Sequence, residues 1–159
     1  MTTRAQHLTI RVSDSERSVA FYEALGARKA LRRYVTDKDF TKRLFGLEET
    51  EYTMQYLELP DGFGLELIQF LPSPNQTFSR PQQESGFMHF AVYVDDFAAT
   101  IARLESAGFE PPAHVGAFGS LTASFTYLSD PDGHAIELND APWSDIVVAT
   151  QELHPEAAL

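Results

Sequence analysis

The sequence predicts an α+β protein made of two βαβββ modules. Three observations carry this. The run His7 to Asp14 repeats as His89 to Asp96, 82 residues on, with His over His, Val12 over Val94 and Asp14 over Asp96; the match continues without a gap to Gly26 and Gly108. A second pair, Pro60 to Leu67 and Pro131 to Leu138, reads PDGxxxEL in both copies, 71 residues apart. The segments that open and close each copy alternate apolar with polar residues, as half-buried strands do.

The elements follow in order. Leu8, Ile10 and Val12 mark the first strand, as Phe90, Val92 and Val94 do in the second copy. Ser13, Asp14 or Ser15 caps the next helix, near Glu16–Leu25; Asp95 or Asp96 caps its counterpart near Phe97–Ala107. Gly26 and Gly108 end these helices. Further strands are expected at about 28–34, 52–59 and 64–70, then at about 109–114, 121–129 and 134–139. Pro-Asp-Gly turns the chain between the last two strands of each copy. The two offsets differ, so the first module carries about eleven extra residues. They fall between Val35 and Thr50, where Thr36 to Gly46 reads as a short inserted helix ended by glycine. The expected organisation is a first module at 5–71, a linker rich in Pro, Ser, Gln and Asn at 72–86, a second module at 87–140 and a tail at 141–159, whose Trp143, Ile146 and Val147 suit a short packed helix.

Composition narrows the function. The 159 residues are 43% hydrophobic, carry a formal net charge of −11 and contain no cysteine. Thiolate nucleophiles, thiolate ligands and disulfides are excluded. So acidic a chain repels phosphate backbones, so no nucleic-acid partner is expected. No apolar run is long enough for a membrane span, and the first six residues lack a signal peptide's apolar stretch, so a cytoplasmic location is expected.

Strand alternation then selects chemistry-bearing residues. With Leu8, Ile10, Leu65 and Leu67 turned toward a helix, His7, Thr9, Arg11 and Glu66 face the other way. The second module repeats this: Ile136 and Leu138 turn inward, His89 and Glu137 outward. Two equivalent sheets facing each other converge two His and two Glu. An imidazole and carboxylate set of this kind suits one divalent metal ion with open positions, used as a Lewis acid on a carbonyl or enolate oxygen. One such His or Glu alone is most simply a solvated strand residue; both at matched positions of a repeat are not.

The His-led first strands and the DPDGxxxEL at Asp130 to Leu138 resemble the vicinal oxygen chelate superfamily, which includes glyoxalase I, methylmalonyl-CoA epimerase, extradiol dioxygenases and the fosfomycin and bleomycin resistance proteins. The resemblance spans residues 5–140. It implies paired modules forming a cupped mixed sheet around a metal site, and its ligand positions fall on His7, Glu66, His89 and Glu137. It implies one divalent ion (Ni, Co, Zn, Mn or Fe), a small-molecule substrate and a homodimer. The modules close one cup within a chain, or two chains exchange modules.

A Glu at position 66 leans toward the glyoxalase I and epimerase branch, since the dioxygenase and fosfomycin enzymes resemble a pattern using His7, His89 and Glu137 alone. The implied activity is that of a lyase, isomerase or epimerase in which Glu137 or Glu66 removes a proton next to a carbonyl and an enediolate is stabilised. The alternatives are an extradiol-type dioxygenase, with His134 or Tyr127 as acid–base, and a bleomycin-resistance-like binding protein. Arg11 matches a glyoxalase I position that holds a glutathione carboxylate. Against glutathione stand Phe70, where that enzyme tends to have Asn, the absence of Lys or Arg over Gly116 to Leu121, and the charge. Phe70, Phe118, Tyr56 and Tyr127 point instead to a smaller or more apolar substrate, with Arg11, Phe70 and Phe118 as its expected contacts.

Overall fold

A computed structural model describes residues 3–73, 86–117, 121 and 123–157. The chain forms two compact units, Met1–Phe78 and Ser79–Leu159. No helix among the described residues is long and apolar enough to cross a membrane.

The first unit runs β1 (His7–Arg11), α1 (Ser15–Leu25), β2 (Arg28–Lys29), β3 (Tyr34–Thr36), α2 (Lys38–Phe45), β4 (Glu51–Glu58) and β5 (Gly64–Leu71). Its sheet has the order β1-β5-β4-β2, with β3 also paired to β4. β1 runs parallel to β5, and the other pairs are antiparallel. The second unit runs β6 (Phe90–Tyr93), α3 (Phe97–Ser106), β7 (Gly116–Ala117), β8 (Ser124–Ser129), β9 (Ala135–Asn139) and α4 (Trp143–Leu153). Its sheet, β6-β9-β8-β7, again closes on a parallel pair of first and last strands. The expected α+β architecture of two βαβββ units is therefore present, with β3 and α2 as the first unit's insertion.

Helices α1, α2 and α3 begin where an aspartate can accept from the first turn. Asp14 accepts from the backbone N–H groups of Glu16 (2.9 Å) and Arg17 (3.1 Å), and Asp96 from that of Ala99 (2.8 Å). Asp14→Ala is expected to lower stability by about 1 kcal/mol, read as a lower urea midpoint at unchanged slope.

Cores form on the helix-facing sides of the sheets. Ile10, Phe21, Tyr22, Leu25, Leu57, Leu65 and Leu67 are buried in the first unit, and Val92, Leu104, Leu128, Ile136 and Leu138 in the second. The two PDG turns are alike. Gly62 and Gly133 have φ of 87° and 91°, the left-handed region that a side chain rarely adopts, and each donates its N–H three residues back, to Leu59 and Asp130.

Two expected strands differ. The stretch 28–34 forms strand only at 28–29, and pairing resumes at 34–36. The strand expected at 109–114 is the two-residue β7 at Gly116–Ala117. Pro111 and Pro112 lack the N–H a ladder requires, so pairing starts only beyond them. Of the stretch 72–86, residues 74–85 lie outside those described.

Candidate metal centre

Each unit brings one His and one Glu together. In the first, parallel register sets Thr9 opposite Glu66 and His7 opposite Gly64. His7 Nε2 lies 3.7 Å from Glu66 Oε2, and the Thr9 hydroxyl donates to the same oxygen at 2.8 Å. The side chain of Gln6 holds the other ring nitrogen, with Oε1 3.0 Å from His7 Nδ1. A Cβ added at Gly64 would fall 3.0 Å from His7 Cβ, so a residue without one lets the imidazole lie against β5.

In the second unit His89 Nε2 lies 3.4 Å from Glu137 Oε2. That oxygen accepts from the Tyr127 hydroxyl at 2.9 Å, and Glu137 Oε1 accepts from Asn139 Nδ2 at 3.0 Å. Tyr127 also sets its ring edge-on to His89, with centroids 5.2 Å apart. Burial, then the hydrogen bond to Glu137, raises the Tyr127 phenol above its ordinary value, so it remains a donor. The Tyr56 phenol, opposite Glu66 in the register, is pushed up to about 12 by its hydrogen bond with Tyr34 and by burial.

The donor chemistry fits a divalent ion. Neutral imidazole and carboxylate are ordinary ligands for one, at roughly 2.0–2.2 Å each, so two neighbouring ligands lie about 3 Å apart. The two His–Glu separations, 3.7 and 3.4 Å, are close to that. His89 Nδ1 is buried with no partner among the described residues. A buried polar atom of that kind costs about 1–3 kcal/mol, which marks the ring for a use other than packing. Among the described residues no three His, Cys, Asp or Glu side chains form a group that could hold a metal ion; within each unit one His–Glu pair comes together.

Other expected site residues fall as follows. Arg11 is exposed, on the same face as His7 and Thr9, opposite Ile68. Phe70 packs against a buried cluster on Glu66's face. Phe118 lies outside the described residues. His134 is held by both carboxylate oxygens of Asp130, at 3.1 and 3.0 Å. Thr9 as a partner of Glu66 was not expected from sequence, although its place two residues after His7 puts it on that face.

Comparison with known proteins agrees with the fold of two βαβββ units. Residues 4–138 match the Glyoxalase/Bleomycin resistance protein/Dioxygenase superfamily. A lactoylglutathione lyase of Neisseria meningitidis is 29% identical over 148 residues, which cover 93% of this chain and 98% of that protein. A probable chloroplastic lactoylglutathione lyase of Arabidopsis thaliana is 25% identical over 138 residues, 85% of this chain but only 35% of that protein. The crystal structure of a glyoxalase family protein from Bacillus cereus superimposes with a TM-score of 0.70 at 22% identity, covering 88% of this chain and 95% of that one.

Proposed function

The chain belongs to the Glyoxalase/Bleomycin resistance protein/Dioxygenase superfamily, and from that premise we propose that it is a divalent-metal-dependent lyase, isomerase or epimerase acting on a small oxygenated substrate. The observation that carries the reading is the matched pair of His–Glu contacts, 3.7 Å and 3.4 Å, at equivalent positions of both units. His7, Glu66, His89 and Glu137 would hold one ion. When bound, it supplies a positive charge that stabilises negative charge on neighbouring substrate oxygens. A homodimer belongs to the same proposal.

The chain's own residues divide the remaining work. Tyr127 and Asn139 hold both oxygens of Glu137, which fixes its orientation. Thr9 holds only one oxygen of Glu66, so Glu66 keeps more freedom to turn. A carboxylate beside the substrate carbon accepts the proton next to the carbonyl and returns it elsewhere, the step a general base performs. The exposed Arg11 guanidinium offers an anionic substrate group a partner in an otherwise acidic chain.

The dioxygenase alternative has less support. Its two acid–base candidates are already engaged, His134 by Asp130 and Tyr127 by Glu137. Oxygen uptake with catechols discriminates the two activities.

The test is metal content of protein purified without chelator or affinity-tag metal. About one equivalent per chain is expected, lost in Glu66→Gln and His89→Ala. No metal, and none taken up on titration, would move the weight to a binding protein.

A further inference from the structure

The two histidines of the candidate metal centre are held differently. His7 is the first residue of β1 and pairs opposite Gly64, whose N–H donates to the Gln6 carbonyl at 3.0 Å. His89 stands one residue before β6, and pairing there starts only at Phe90, opposite Ile136. A Cβ at Gly64 would press on His7 Cβ at 3.0 Å, so glycine lets the ladder run back to the histidine. At the 71-residue offset Gly64 becomes Ala135, and there the ladder stops short.

The rings differ in the same sense. His7 Nδ1 lies 3.0 Å from Gln6 Oε1, an amide oxygen that only accepts. Nδ1 therefore carries the ring proton, and Nε2, on the Glu66 side, keeps its lone pair. At the 82-residue offset Gln6 becomes Met88, whose thioether is a weak acceptor. His89 Nδ1 is buried and has no partner among the described residues. A metal-bound imidazole ordinarily donates its second N–H to an acceptor, which fixes its tautomer and orientation.

We propose that Gln6 is the positioning residue of His7, and that the metal centre is built unequally. The first unit presents an imidazole already set for an ion; the second presents one that the ion itself must order. This rests on the four-ligand reading above and adds to it the residue that prepares one ligand.

The test first reads the ring tautomers of metal-free protein by long-range proton–nitrogen NMR at about pH 8.5, where free imidazole is neutral. His7 is expected with its proton on Nδ1. Gln6→Leu should mix the two tautomers, and Gln6→Glu, which keeps an acceptor oxygen, should restore the first. Titration with Zn²⁺ against a chromophoric chelator should then show affinity about tenfold weaker in Gln6→Leu and near wild type in Gln6→Glu. Met88→Gln, which supplies the missing partner, should tighten binding by about threefold or more. A merely structural glutamine would change stability without moving tautomer or affinity. A wild-type His7 proton on Nε2, or a tautomer and affinity indifferent to Gln6→Leu, would overturn the proposal; no tightening in Met88→Gln would overturn the inequality of the halves. Because the tautomer is read without metal, failure of the four-ligand reading shows separately. His7 set as expected with no Zn²⁺ bound by the wild type sinks the metal centre itself, and the role of Gln6 with it.

Discussion

Glu137→Gln is expected to abolish proton transfer while leaving the second unit folded. The amide is nearly isosteric with the carboxylate, and its carbonyl oxygen can still accept from Tyr127 (2.9 Å in the native protein). What disappears is the negative charge that a cation needs and the basic oxygen that a proton needs. Proton transfer by a positioned side chain contributes about 10²–10⁴-fold, and the loss of a ligand removes the rest. The measurement is wash-in of solvent deuterium at the carbon beside the carbonyl of dihydroxyacetone, followed by NMR on metal-loaded protein. Exchange at the buffer rate in Glu137→Gln, with a native circular dichroism spectrum, is the expected result. Unaltered exchange in that variant would sink the mechanism.

Asp130→Ala should produce the largest loss of stability. The Asp130 side chain is fully buried, and it accepts from the backbone N–H groups of Asp132 (3.0 Å) and His134 (2.8 Å), with His134 Nδ1 also 3.0 Å away. Removing it strands those donors under the turn that leads into β9. With each orphaned buried donor costing about 1–3 kcal/mol, a loss of about 3 kcal/mol is expected. A chemical denaturation curve reads it as a lowered midpoint. Because β9 carries Glu137, metal affinity should fall with it. A change under 1 kcal/mol would mean that water replaces the carboxylate without cost. The equivalent position in the first unit is Leu59, and there the Asp61 carboxylate takes the corresponding role, accepting from the Phe63 N–H at 3.0 Å.

Much of this was legible in the sequence, for a definable reason. A duplicated unit shows each strand twice, so the alternation of Leu8, Ile10 and Val12 is checked by Phe90, Val92 and Val94. The caps were narrowed to Ser13, Asp14 or Ser15 and to Asp95 or Asp96, of which Asp14 and Asp96 serve, and the helix that ends at Gly46 was plain, because local chemistry determines these features. What failed were places where a pairing partner decides. Ala30 to Arg33 leaves the ladder between β2 and β3, and the Pro111-Pro112 pair delays β7, a signal present in the sequence but outweighed by the expected spacing. The His–Glu pairs were legible as candidates because residues two apart share a face. The partners that orient Glu66 and Glu137 were not, since the hydroxyl of Thr9 meets its carboxylate across 57 residues and only the register reveals it. The packing of Phe45 on Phe70, with ring centroids 5.6 Å apart, was hidden likewise: the two are brought together by an insertion whose docking no periodicity encodes.

Both His–Glu pairs lie where the first strand of a unit runs parallel to its last. Such a contact spans nearly the whole module, and it cannot form on a nascent chain until the closing strand has been synthesised. Everything nearer in sequence, the capped helix and the pairing of β2 and β3 with β4 or of β7 with β8, is free to assemble beforehand. Ligand pairing in each half is thus the latest event that synthesis permits. Metal uptake during refolding would therefore time the end of folding, not its beginning.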